Sequence, residues 1–173
     1  MNRETMKKII VFAILILPMT SVLAQTEFKV YENSDFQIHY PANWDLSIGQ
    51  EGTECAVLSP QSSEDDPFRE NVNVLKSDLK GASYTLDQIV KENIKTSGNK
   101  GFEFISVEKY KKDALEYQIL SIRGAQQGYF FDVKQIFAVH KGYLYLVTYT
   151  AIENDLETYK KDADKVLKSF KLK

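Results

Sequence analysis

Residues 102 to 152 constrain the fold more than any other part of the chain. They read as four long strands, roughly Phe102–Tyr110, Leu115–Arg123, Tyr129–His140 and Tyr143–Ile152. The joints are short: Lys112-Asp113, Gly124 to Gly128, and Lys141-Gly142. Joints of this length allow hairpins and exclude crossovers, so neighbouring strands pair antiparallel. The last two strands are apolar on both faces. Phe131, Val133, Phe137 and Val139 alternate with Phe130, Ile136 and Ala138, and Tyr145, Val147 and Tyr149 alternate with Leu144 and Leu146. A sheet with one wet side would be polar there. These strands therefore require cover on both faces, and any uncovered portion is a candidate binding surface.

Two helices supply cover. Thr85-Leu86-Asp87-Gln88 has capping-box spacing, and Leu86, Ile89, Val90 and Ile94 form one apolar stripe, with Gly98 read as a left-handed stop. The closing helix is read from Asn154 as N-cap, with Asp155 in its first turn and Glu157 three residues on. Leu156, Tyr159, Ala163, Val166, Leu167 and Phe170 recur at helical spacing, and Lys165, Lys168, Lys171 and Lys173 suit a helix C-terminus. Before the first helix, Phe28–Tyr31 and Phe36–Tyr40 flank a turn-like Glu32-Asn33-Ser34-Asp35 and read as a hairpin. Trp44–Ile48, Cys55–Leu58 and Asn71–Lys76 are further strands. The expected class is α+β, a central antiparallel sheet flanked by helices in an α-β-α sandwich.

The N-terminus carries an export signal. Lys7 and Lys8 precede an unbroken apolar run from Ile9 to Leu17, and Val22-Leu23-Ala24 is a small-residue cleavage site with Gln25 following. The apolar run is short against the ~20 residues that span a bilayer. Residues 1–24 are therefore expected to be a signal peptide and residues 25–173 a single domain, periplasmic or secreted and soluble, with no stable membrane insertion. Gln25 in place of a cysteine argues against a lipoprotein. Without residues 1–24 the chain keeps 19 basic and 23 acidic residues of the full 22 and 24, a net charge of −4. Such a chain has no electrostatic footprint for nucleic acid or anionic lipid. Ten Tyr and ten Phe argue against disorder.

No residues assemble into catalytic or metal-binding chemistry in the sequence. His39 falls on the polar face of a strand and His140 at a hairpin end, with no cluster at ligand spacing. Ser34, Ser47 and Ser59 lie in ordinary turn or strand contexts and no G-x-S-x-G occurs. Gly81, Gly98 and Gly101 are scattered and form no phosphate loop. Cys55, the lone cysteine, has no activating neighbour and reads as a small apolar strand residue. Glu64-Asp65-Asp66 lacks the spacing of a calcium loop and reads as solvated. Trp44 is either a core plug or part of a groove, and Tyr143, Tyr145 and Tyr149 pose the same choice. No catalytic residue, metal or cofactor is expected, and no ligand-binding residue is assigned.

The punctuation of the chain resembles that of the PsbP-like family, which includes the extrinsic photosystem II protein and bacterial proteins of the DcrB and LpqN types. The resemblance is carried by Phe36-Gln37-Ile38-His39-Tyr40-Pro41-Ala42-Asn43-Trp44, by Asn71-Val72-Asn73-Val74, and by Tyr84-Thr85-Leu86-Asp87-Gln88. Gly142 to Tyr149 and Ala163 to Phe170 complete it. It covers residues 28–172 in order and implies a non-enzymatic accessory or binding role outside the cytoplasm. Only Gln25 to Glu27 precede the first strand, so the N-terminal docking arm of photosystem members is missing. The expected partner is an envelope protein or a small amphipathic ligand. A small exported hydrolase or metal-dependent enzyme using His39 or His140 is one alternative, and a lipid or acyl-chain module is another.

Overall fold

The computed structural model describes residues 26–50, 52–152 and 156–173. The signal segment with its Ala24–Gln25 bond lies outside the described residues, as do Asn154 and Asp155 and the side chains of Leu156 and Glu157. The element order is β1 (Phe28–Glu32), β2 (Phe36–Pro41), β3 (Asp45–Ile48), β4 (Cys55–Leu58), β5 (Asn71–Asp78), α1 (Leu86–Gly98), β6 (Phe102–Lys112), β7 (Leu115–Gln126), β8 (Tyr129–His140), β9 (Tyr143–Ile152), α2 (Leu156–Ser169) and β10 (Lys171–Leu172). Seven strands form one antiparallel sheet in the order β3-β4-β5-β9-β8-β7-β6.

The meander closes as its short joints require. Asp113-Ala114, Gln127-Gly128 and Lys141-Gly142 each hold two successive residues at positive φ, between 50° and 87°. That is the type I′ geometry, whose twist matches the strands on either side. Gly124 is not part of a joint. It sits inside β7 opposite Phe102, and β7 runs on to Gln126. Thr85 caps α1 with a complete capping box. The helix does not stop at a left-handed Gly98. Gly98 is its last residue, Asn99 follows in right-handed geometry, and the positive φ falls on Gly101 at 87°.

The opening hairpin forms a second sheet instead of joining the first. β2 lies between β1 and β10 in a three-stranded antiparallel unit. Lys171 and Leu172 thus leave the helix and pair with Gln37 and Phe36. The reason is visible in Leu172, 5% exposed: turning the chain out of the helix at Phe170 buries one more apolar side chain against β2.

The strands are covered on both faces through most of their length. On one face Val72, Val74, Tyr117, Ile136, Ala138, Tyr145, Val147 and Tyr149 pack with Phe36, Ile38 and Tyr40 of the small sheet and with Ala163, Val166, Leu167 and Phe170 of the α2 stripe. On the other, Leu120, Ile122, Phe137, Leu144 and Leu146 meet Val90, Leu86, Ile89 and Ile94 of α1. The alternation along β9 between these two sets is the two-residue period of a strand. One face thus carries a helix and a small sheet, the other a single helix. Polar ties hold the layers. Gln118, 1% exposed, donates to Asp87 of α1, which also takes Lys109 at 2.5 Å. Lys76 on β5 binds Asp35 of the opening hairpin at 2.5 Å and sits 4.3 Å above the Tyr143 ring.

Candidate functional site

Cover fails at one end of the large sheet. There the β7–β8 hairpin, the start of β6 and the loop from Ser59 to Glu70 come together. Pro67, Phe68, Phe102, Tyr129, Phe131 and Val133 line a groove of about 400 Å³, with Gln126, Gln127 and Thr150 at its margin. Phe68 meets Phe131 edge-on at 5.3 Å and Tyr129 meets Phe131 at 6.5 Å. Beside them Phe104 and Tyr129 stand 52% and 43% exposed, whereas Phe130, 57% exposed, alternates with Tyr129 and Phe131 and faces the other side of the sheet, and Ile105 lines a separate groove with Asp164 of α2. Single exposed apolar residues need no explanation, but a contiguous aromatic patch marks an interaction surface. The chain from Gly124 to Phe131 carries no charge.

The groove wall is pre-formed by the loop that presents Phe68. Its neck is closed by the Ser59 N–H donating to the Glu70 carbonyl at 2.8 Å and by the Ser59 hydroxyl on the Glu70 carboxylate at 3.2 Å, both residues fully buried. Arg69 donates to the carbonyls of Ser59 at 2.5 Å and Leu58 at 3.2 Å and pairs with Asp45 at 2.6 Å. Asp66 is not solvated as its acidic run predicts. Only 8% exposed, it accepts from the Ser62 N–H at 2.8 Å, the Ser62 hydroxyl at 3.1 Å and the Phe68 N–H at 3.0 Å. Glu64 and Asp65 remain exposed.

These donors, the Ser62 N–H first, hold the Asp66 carboxyl below the usual carboxylate range against the opposing effect of burial. A carboxyl depressed in the folded state stabilises the fold above its unfolded value of about 3.9, and that contribution is lost as pH falls through the folded value. Urea midpoints should therefore fall as pH drops below about 4. Asp66→Asn should be less stable at neutral pH and lack this part of the acid slope. Parallel curves for the two proteins would remove Asp66 as the organiser of the loop.

A second groove runs between α2 and the outer strands of the sheet. Tyr110, Ile119, Ile136 and Leu167 floor about 430 Å³ of space, with Glu108 and Lys168 at the rim. The Lys134–Asp164 ion pair, 2.8 Å, crosses it from β8 to α2. An acyl chain entering here would have to break that pair. Burial, with Tyr117 adding to it, pushes the Tyr110 phenol up to about 12, and the ring stacks on Tyr117 at 5.0 Å.

The residues singled out from sequence scatter through the fold. Trp44 is core, 3% exposed and edge-on to Tyr159 at 5.9 Å. Tyr145 and Tyr149 are also core, at 2% and 4%. His39 lies on β2, where its backbone N–H donates to the Ser169 hydroxyl at 2.8 Å. His140 lies at the end of β8, its Nε2 2.8 Å from the Lys173 carbonyl oxygen. The two histidines thus serve different sheets. Among the described residues no group of three or more His, Cys, Asp or Glu is placed to hold a metal. Cys55 is 1% exposed, and burial, with Glu54 adding to it, pushes its thiol up to about 12. Such a thiol is protonated and inert at neutral pH. Thiol reagents should label it only after unfolding, and rapid labelling of the native protein would contradict this environment.

The groove aromatics were not singled out by motif. The signal that points to them is the apolar character of both faces at Tyr129-Phe130-Phe131, at the start of β8.

The seven-stranded sheet with one helix on one face, and a helix plus a three-stranded sheet on the other, is the PsbP-like fold. The cyanobacterial PsbP protein of Synechocystis superposes with a TM-score of 0.64 at 18% identity, covering 88% of this chain and 96% of that one. LpqN of Mycobacterium tuberculosis, described as involved in cell envelope biogenesis, gives 0.62 at 11% identity over 84% and 90%. A Pseudomonas aeruginosa protein described as a putative regulator gives 0.58 at 14% over 81% and 93%. At these identities the likeness establishes the fold. No family profile and no curated protein matches the sequence. Among the described residues no helix is long and apolar enough to cross a membrane.

Proposed function

We propose that this is an exported, non-enzymatic PsbP-like accessory protein of the cell envelope that holds a partner in the aromatic groove of Phe68, Phe102, Tyr129 and Phe131. The observation that carries the reading is the cluster of Phe68, Phe102, Tyr129 and Phe131 at an end of the large sheet that the helices leave uncovered. Aromatic side chains in a pre-formed cleft anchor partners at low cost in conformational entropy. Export is supported by the Lys7 to Ala24 signal pattern, and the envelope setting by the likeness to LpqN. The accessory role in place of catalysis is supported by the inert thiol and by the placement of His39 and His140 on different sheets, with the His140 ring on the Lys173 carbonyl.

The test is capture from detergent-solubilised envelope by the immobilised exported protein. Tyr129→Glu should lose at least about tenfold in captured partner, the scale of a truncated aromatic hot spot, while keeping its urea midpoint because Tyr129 is exposed. Val30→Glu, a charge on an exposed apolar residue of the small sheet, should capture normally. So should the double variant His39→Ala, His140→Ala. Equal capture by Tyr129→Glu would sink the groove reading. Turnover against esterase, phosphatase, glycosidase or peptidase substrates that disappears in either histidine variant would instead favour an enzyme.

A further inference from the structure

The aromatic groove has polar members, and they are all of one kind. Gln126, Gln127 and Thr150 stand at its margin, and among the described residues none that lines it is charged. The two charges that flank Pro67 and Phe68 are already paired. Arg69 is held by Asp45 and by the Ser59 and Leu58 carbonyls, and Asp66 by the Ser62 and Phe68 amides.

Thr150 leads from the groove into further neutral groups on the same face of the sheet. Register sets Thr150 beside Asn71 on one side and Val133 on the other, and sets Thr148 between Asn73 and Gln135. Leu146 and Phe137, next along the same strands and on the same face, pack under α1. The helix stops short of the polar rows and leaves Asn71, Asn73, Gln135, Thr148 and Thr150 partly exposed. The rows do not close on themselves. Asn73 donates to the side-chain oxygen of Asn71 and Gln135 to the Thr148 hydroxyl, both at a long 3.4 Å. The side-chain oxygens of Asn73 and Gln135 accept from no donor among the described residues. A primary amide has two N–H donors and an oxygen that accepts twice, so each keeps unused capacity. A half turn of the amide exchanges its two ends, so either can face outward.

This chemistry selects the occupant. An acyl chain would cover the rings but leave Gln126, Gln127 and Thr150 without partners. An ionised segment would meet no opposite charge. A neutral sugar ring meets both demands. Its C–H face is apolar and packs on an aromatic ring, and its hydroxyls both donate and accept, as amides and threonine hydroxyls require. The volume of about 400 Å³ lies in the range of small-molecule clefts, about 300–1,000 Å³.

We infer that the groove binds a neutral oligosaccharide. This rests on the groove reading above and names the ligand class. One sugar packs on Tyr129, the exposed ring of the four, with its hydroxyls taken by Gln126, Gln127 and Thr150. The next sugars run over the Asn71, Asn73, Thr148 and Gln135 rows.

The probes are cellohexaose, maltohexaose and N-acetylchitohexaose, titrated against the exported protein by calorimetry. An oligogalacturonate of the same length and laurate are the anionic-sugar and acyl controls. At least one neutral hexamer should bind, at least about tenfold more tightly than the galacturonate and more tightly than its own dimer. Tyr129→Ala should weaken that binding at least about tenfold. Thr150→Val, which removes a hydroxyl, should weaken it about threefold to tenfold, and Val30→Glu should leave it unchanged. Absence of binding by all three hexamers overturns the inference. It leaves the groove reading standing where Tyr129→Glu still loses envelope capture, and removes both where capture is normal. Laurate binding that Tyr129→Ala abolishes, without sugar binding, gives the groove to an acyl chain and overturns the inference. Sugar binding that Tyr129→Ala leaves unchanged puts the sugar elsewhere and overturns it too.

Discussion

Phe170→Ala is expected to cost the fold about 3–5 kcal/mol, and Leu167→Ala about 2–5 kcal/mol. Both side chains are buried, at 2% and 3% exposure, and both belong to the cluster that joins α2 to the large and small sheets. Phe170 has the larger effect because it sits where the helix ends and β10 begins, its ring 5.6 Å from that of Phe36. Truncating it leaves a void among groups fixed by two sheets and a helix, which cannot all collapse into it. A domain of this size has a net stability of about 5–15 kcal/mol, so either change removes a large fraction of it. Lys168→Ala is the control. Its side chain is exposed, and the Lys112 bond goes to its backbone carbonyl, which the substitution keeps. Urea midpoints decide the matter, and equal values for all three variants would mean that α2 does not pack on the sheet.

The second large effect falls on a glycine. Gly124 is buried in β7 opposite Phe102, and a Cβ there would lie 2.8 Å from two atoms of the Phe102 ring and 2.9 Å from the Gly101 carbonyl oxygen. The ring lies over a backbone with no side chain, a position only glycine leaves open. Gly124→Val should therefore destabilise by about 1–3 kcal/mol. It should also push Phe102 off the groove wall and so reduce envelope capture beyond what stability alone explains. Gly98→Ala makes the opposite prediction. It ends α1 with nothing within 4 Å of its Cβ position, and alanine in a helix is favoured over glycine by roughly 0.5–1 kcal/mol. Normal capture by a folded Gly124→Val protein would show that Phe102 is not needed in the groove.

These two variants separate stability from binding because they act in different layers. The α2 stripe belongs to the face shared with the small sheet, whereas Phe102 and Gly124 belong to the face under α1, at the end where cover stops.

What could be read directly from the chain is what local rules control. The capping box at Thr85, the strand limits of β4, β8 and β9, and the two-residue joints around Asp113 and Gly142 follow from propensity, alternation and turn chemistry over a few residues. The need for cover on both faces of β8 and β9 followed in the same way. Other features had no local signature, because distant partners decide them. Lys171 and Lys173 read as the basic end of a helix, but Lys171 and Leu172 form a strand that pairs with Gln37 and Phe36. Gly124 reads as a turn residue but lies within a strand, because the ring of Phe102 occupies its missing side chain. Asp66 reads as solvated but is folded inward by amides of its own loop. Trp44 is the core plug that its place after Pro41 allows, and Tyr145 and Tyr149 are core as well, while Tyr129 and Phe130 have the composition of core yet stand exposed. Side-chain chemistry by itself determined that this chain must build an antiparallel sheet with apolar surface on both faces. Only tertiary packing decided which part of that surface stays uncovered, because two helices and a three-stranded sheet have finite length and end before the β7–β8 hairpin does.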